Sequence, residues 1–193
     1  LWGNPLYRWE VHAAQDYDWW MRRMYAASTR YDLIRLDHFR GFESYWAVPY
    51  GETTAKNGHW VKGPGMDLVG VLTSWFHNVE FIAEDLGFLT PEVKQLLADS
   101  GLPGMKVLEF AFDSRDTGSA SDYLPHNYTE NCVAYTGTHD NDTCVGWYKT
   151  EENKEFIKEY LNVCVITGYI MMFASVFLTM IVYRGVDFMN VPV

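Results

Sequence analysis

Cysteine is scarce in this chain. Cys132, Cys144 and Cys164 make an odd number and include no Cys-x-x-Cys pair, which argues against a disulfide framework or a zinc site and fits a reducing compartment. Positive charge is short as well. Fifteen Lys and Arg stand against 25 Asp and Glu, a net charge of -10, whereas a nucleic-acid-binding surface needs a basic footprint. A neutral substrate makes no such demand. The first residues, Leu1-Trp-Gly-Asn-Pro5, carry neither the basic region nor the apolar core of a secretory signal. They also lack an initiator methionine, so the expectation is a piece of a longer chain. No solenoid repeat or low-complexity tract interrupts the sequence.

Aromatic residues are plentiful, with eight Trp and 13 Tyr. They serve either as a large core or as platforms on which flat faces such as sugar rings stack. With 48% hydrophobic and 21% charged residues in 193, the composition is globular, and one domain is the expectation at this length. Periodicity predicts a helix over 13–27, where Trp20, Met24 and Ala27 share a face. Strands are predicted over 32–36, 79–83, 105–112 and 132–136, with helices over 68–76 and 151–161. Thr90-Pro91 starts a further helix, a capping hydroxyl followed by proline, which continues to Asp99 and stops before Gly101. Residues 41–65 read as a long Gly- and aromatic-rich connection, and such loops are more often functional than idle. Lys62 within it is either a substrate contact or a solvated loop lysine. Strands alternating with helices are the grammar of parallel βα units.

The segment Tyr31-Asp-Leu-Ile-Arg-Leu-Asp-His-Phe-Arg-Gly41 organises the rest. Residues two apart on a strand point the same way, so Arg35 and Asp37 share a face at the end of an apolar run. Charges there are either a structural ion pair or part of an active site. The pattern recurs: Glu84-Asp85 ends the second strand, Asp113 follows the third, and His139-Asp140 follows the fourth. In a (β/α)8 barrel the active site is built from those strand ends. Asp37, Glu84 and Asp140 are separated widely enough to come from different βα units and converge. Glycoside cleavage with retention needs a nucleophilic carboxylate and a proton donor about 5–5.5 Å apart. Glu84, crowded by other acids, is the natural donor. Asp37, paired with Arg35, is suited to attack.

The residues also carry a resemblance. Arg35-Leu-Asp37-His-Phe-Arg-Gly-Phe-Glu-Ser-Tyr-Trp46, Lys62-Gly-Pro-Gly65, Ile82-Ala-Glu84-Asp-Leu-Gly87, Pro103-Gly-Met-Lys-Val-Leu108 and Gly137-Thr-His-Asp140-Asn-Asp-Thr143 resemble the 4-α-glucanotransferases. This is the amylomaltase or disproportionating-enzyme group, glycoside hydrolase family 77 of the α-amylase clan. The resemblance implies an α/β chain forming part of a (β/α)8 TIM barrel, roughly its fourth to seventh strands, with the first strands missing. It implies a retaining transfer of α-1,4-glucan segments between a glucan donor and a glucose or maltooligosaccharide acceptor. Asp37 matches the nucleophile, Glu84 the acid/base and Asp140 the residue supporting the transition state. Arg35, His38, Asp113 and His139 match sugar contacts on the donor side, and Trp2 matches an aromatic on a loop over the glucan channel. Neither a cofactor nor a metal is implied, and the implied compartment is the cytoplasm, or the plastid for a plant or algal version. Open alternatives are an α-glucan hydrolase of the same clan and a non-catalytic glucan-binding remnant.

Two departures stand out. Glu109 occupies a position where that family usually has glutamine. The catalytic barrel fragment is assigned to 1–162 and an apolar segment to 163–193, family-like to about Val176 and divergent after it. No charge occurs from Val163 to Tyr183, a length near the ~20 residues of a membrane span. Its polar residues favour a late barrel helix running into a strand, and the break after Val176 implies truncation or a shifted reading frame.

Overall fold

The computed structural model describes residues 1–87, 89–113 and 120–160. The expected apolar segment 163–193 lies outside them. In chain order the elements are α1 (Trp9–Ala14), α2 (Asp18–Ser28), β1 (Leu33–Leu36), α3 (Arg40–Glu43), β2 (Ser44–Ala47), β3 (His59–Lys62) and α4 (Met66–Trp75). They continue with β4 (Glu80–Ala83), α5 (Pro91–Ser100), β5 (Gly104–Val107), β6 (Cys132–Tyr135) and α6 (Cys144–Thr150), followed by helix over 154–160.

β1 pairs in parallel with β4, Leu36 opposite Ala83. β5 pairs in parallel with β6, Val107 opposite Tyr135. The Ala83 N–H donates to the Pro103 carbonyl at 2.9 Å, joining the two pairs just before β5 begins. Parallel strands need crossover connections, and α4 and α5 lie in two of them. The alternating grammar is therefore observed, and the chain is mixed α/β.

Side-chain burial explains where the core sits. Phe39, Leu68, Leu72, Val69 and Ala83 are fully buried in one cluster with Trp20, Met24, Leu36 and Phe81. It fills the space between α2, α4 and the β1–β4 pair, and each large side chain contributes about 1.5–3 kcal/mol relative to exposure. A smaller cluster of Ala111, Phe112, Tyr123 and Ile157 underlies the later part of the chain. α5 follows its sequence signals closely. The Thr90 hydroxyl accepts from the Val93 N–H at 3.4 Å, Pro91 stands in the first turn, and Gly101 at φ +67 ends the helix in the left-handed region.

Four expectations need correction. The helix over 13–27 is two helices, because Asp16 and Tyr17 both take positive φ and break the hydrogen-bond run; burying the Tyr17 ring offsets that strain. The long connection 41–65 contains a short helix and an antiparallel hairpin, Trp46 opposite Trp60. The strand over 105–112 stops at Val107 and tightens into a 3-10 helix, Leu108–Phe112. An uninterrupted apolar run does not distinguish those two conformations. The helix expected over 151–161 is observed at 154–160, opening later than expected, and α6, which Thr143 starts by accepting from the Gly146 N–H at 3.1 Å, precedes it.

Candidate active site

The β1–β4 ladder runs on past the ends of both strands. Glu84 N–H donates to the Leu36 carbonyl and Phe39 N–H to the Glu84 carbonyl, each at 2.9 Å. Asp37 and Glu84 therefore leave the sheet side by side. Arg35 Nη2 lies 2.6 Å from Asp37 Oδ1, the shared-face pairing expected from two-residue spacing. The Asp37 side chain is 74% exposed, so its oxygens are open to an incoming ligand.

Glu84 is gripped by backbone. His38 N–H donates to Oε2 at 2.6 Å and Leu86 N–H to Oε1 at 3.0 Å. His38 adopts φ +48, a conformation that costs a non-glycine residue about 1–3 kcal/mol. That backbone turn accompanies the aim of its N–H at the carboxyl group. Burial pushes the Glu84 carboxyl above the ordinary range, the two N–H donors pull it back, and the Asp37 charge adds to the rise. Burial wins, and the net direction is up.

Two neighbours brace this loop. Asp85 is buried, and its Oδ1 accepts from the Met105 N–H at 2.6 Å, tying the end of β4 to β5. Tyr123 stacks edge-on against Phe110 at 5.3 Å, and its hydroxyl accepts from the Gly87 N–H at 3.1 Å. Neither role was legible in advance. Asp85 offered a signal as an acid directly after Glu84, but Tyr123 offered none, since its partner is 36 residues away. Lys62 keeps its side chain 75% exposed but is not free in solvent, because its ammonium pairs with an acid. It lies 2.5 Å from the buried Glu43, joining β3 to α3.

At the end of β6 the organisation differs. Asp140 contacts its own loop: its N–H donates to Thr138 Oγ1 at 3.3 Å, and His139 Nε2 lies 3.4 Å from Oδ2. The Asp140 side chain is 80% exposed. Asn141 Oδ1 accepts from both the Thr138 N–H and hydroxyl at 2.9 Å, closing the turn. Among the described residues no hydrogen bond or ion pair links Asp140 to Asp37 or Glu84. All three nonetheless follow the carboxyl ends of parallel strands.

Trp2 is 94% exposed on the amino-terminal loop, which is anchored at Tyr7, whose ring lies 4.9 Å from Trp9 and 5.4 Å from Trp20. Asp113 is half-buried and follows the 3-10 helix rather than a strand, with its N–H donating to the Phe110 carbonyl at 3.4 Å. So the structure brings together Arg35, Asp37, His38 and Glu84, keeps His139 with Asp140, and leaves Trp2 apart on its loop.

Acids collected where parallel strands end mark the class of α/β enzymes that work at that face of the sheet. Residues 1–177 match the 4-alpha-glucanotransferase family, glycoside hydrolase family 77, and the chain belongs to it. It is 49% identical over 172 residues to the 4-alpha-glucanotransferase of Clostridium butyricum, covering 88% of this chain and 35% of that protein. With the Thermus thermophilus 4-alpha-glucanotransferase the identity is 50% over 164 residues, covering 83% and 32%. Among solved structures, the amylomaltase from Streptococcus agalactiae in complex with acarbose is similar at TM-score 0.76 and 41% identity, over 84% of this chain and 33% of that one. The amylomaltase from Corynebacterium glutamicum matches in fold at TM-score 0.66 and 24% identity, over 84% and 22%. The chain thus spans about a third of the length of the curated relatives it matches.

Proposed function

We propose that this chain carries the reacting groups of a 4-α-glucanotransferase, within a partial (β/α)8 barrel whose remaining strands lie in the rest of the relatives' length. The observation that carries the reading is the pair at the ends of β1 and β4. Glu84 is half-buried with a raised pKa, beside an exposed Asp37 paired with Arg35. Neighbouring strands run about 4.8 Å apart, the same scale as the ~5–5.5 Å between the carboxyls of retaining glycosidases.

In this reading Glu84 gives its proton to the departing glycosidic oxygen while Asp37 attacks the anomeric carbon, forming a covalent glycosyl-enzyme. Glu84, now ionised, takes the proton of an acceptor hydroxyl as that oxygen displaces Asp37. Its backbone donors hold both oxygens in place through the two steps. Asp140 supports the transition state through the sugar hydroxyls, with Arg35, His38, Asp113 and His139 contacting the donor-side sugar and Trp2 covering the channel. Substrates are an α-1,4-glucan donor and a glucose or maltooligosaccharide acceptor. The Streptococcus agalactiae amylomaltase with acarbose supports a glucan-type ligand. The cytoplasm is the proposed compartment, or the plastid in a plant, as for the Arabidopsis thaliana relative named chloroplastic/amyloplastic. Among the described residues no helix is long and apolar enough to cross a membrane.

One observation favours hydrolysis as a second reading. The open Asp37 side chain lets water compete with an acceptor sugar, and transfer needs a shielded intermediate. Leu33 is also 50% exposed on β1, although parallel strands are ordinarily covered. The 193-residue chain alone is therefore expected to be inactive. The test is a chimera in which residues 1–162 replace the matched segment of the Thermus thermophilus relative. Incubated with maltotriose, it should yield longer maltooligosaccharides. Release of new reducing ends without longer products supports the hydrolase instead, and no turnover by a folded chimera rejects both readings.

A further inference from the structure

Glu109 is a buried acid that the proposed chemistry does not use. It sits just past β5, 5% exposed, and its Oε1 has no hydrogen-bond partner among the described residues. Its backbone N–H donates to the Thr136 carbonyl at 3.1 Å, the last rung between the β5 and β6 ends. The side chain then lies flat against Gly137. A Cβ built on that glycine falls 2.8 Å from Oε1 and 3.0 Å from the carboxyl carbon, so any side chain there would push the Glu109 carboxyl end aside. Gly137 begins the turn that carries His139 and Asp140. The charged group acting on Glu109 is Asp142 of the same turn.

A buried polar atom without a partner costs free energy, and an apolar side chain of the same length avoids that cost. Its place at the foot of an otherwise lightly tied loop gives it a use. We propose that Glu109 is a positioning residue for Asp140: its carboxyl group, packed against Gly137, sets where the Thr138–Thr143 turn leaves the sheet. The inference rests on the role given above to Asp140 in transfer.

Protonation enters as a consequence of the same geometry. Burial, with Asp142 adding to it, pushes the Glu109 carboxyl up. Neutral, the group adds no charge beside Asp142; ionised, it sets a second negative charge there and loosens the turn.

Two variants test this. Glu109→Gln keeps the shape and polarity but cannot ionise. Glu109→Met keeps the length and removes the polar atoms. In the full 193-residue chain, amide protection over 138–143 should fall in the Met variant at constant or higher melting temperature. Native protection there should fall as pH rises through the Glu109 range and stay flat in the Gln variant. In the chimera, Glu109→Met should lower kcat about tenfold, roughly 1.4 kcal/mol, with KM changed less than about twofold. Glu109→Gln should retain native kcat. Unchanged protection and kcat in the Met variant would overturn the positioning role. Loss of protection without loss of kcat places Glu109 on the turn but rejects its service to Asp140. Because protection is read without catalysis, this outcome stays separate from failure of the transferase reading.

Discussion

Where β1 and β4 end, Glu84 is held through both oxygens by main-chain N–H groups and backed by the larger hydrophobic cluster. Where β6 ends, Asp140 is exposed and, among the described residues, tied within its own turn. β4 buries Phe81, Ile82 and Ala83, whereas β6 leaves Ala134 exposed and its other residues half-buried. One strand end is fixed by backbone geometry and core packing together. The other depends on a few side-chain contacts and on the buried carboxyl beneath Gly137. The proton-donor role proposed for Glu84 needs that fixed setting, because a donor's protonation state follows from burial and from hydrogen-bond partners that do not move.

The largest expected effect falls on the fixed end. Glu84→Gln in the chimera should lower transfer by about 10²–10⁴-fold, the range general acid–base catalysis supplies, with folding retained by circular dichroism. Next is the core that supports it. Phe39→Ala should cost about 3–5 kcal/mol in denaturant unfolding, since that ring is fully buried. Ile157→Val in the smaller cluster should cost only about 0.5–1.5 kcal/mol. Equal losses would erase the contrast between the two regions. Smaller still, Thr90→Ala should cost about 1 kcal/mol by removing the α5 cap.

The pH dependence sharpens the same contrast. Glu84, Asp85 and Glu109 are all raised by burial. Each favours its protonated form in the fold, so its stabilisation is full below the ordinary carboxylate range, near pH 4, and is lost as pH rises through the raised value. Glu43 works the other way. Burial raises it, but the bonds from Lys62 and Ser44 outweigh that and hold it low, so its stabilisation is lost as pH falls. The melting temperature of Asp85→Asn should therefore decline less than native between about pH 4 and 7. An unchanged slope would mean that Asp85 is not the buried acid responsible.

The parallel strand ends were legible because few physical signals compete there: an apolar run stopping at an acid, repeated along the chain. Arg35 and Asp37 pair as two-residue spacing requires, and α5 obeys its cap and glycine. Local pattern failed where tertiary contacts decide. The Asp16–Tyr17 break is stabilised by burial of a ring that helical periodicity also accepts. The hairpin of residues 44–62 is pinned by the Glu43–Lys62 pair and by Trp46 donating to Ala55 at 2.8 Å, contacts invisible to spacing. The family resemblance is borne out by the chain's membership, and the reacting groups it implies are the ones proposed above. Asp85 and Tyr123, which brace the loop carrying Glu84, and the packing of Glu109 against Gly137 needed coordinates.

Trapping the covalent intermediate tests the central claim most directly. The chimera is incubated with a fluorinated glucosyl donor slow to turn over, digested, and its peptides weighed. One added sugar is expected on the peptide containing Asp37, absent from Asp37→Asn. An adduct on any other carboxylate, or continued transfer by Asp37→Asn at the native rate, would contradict it.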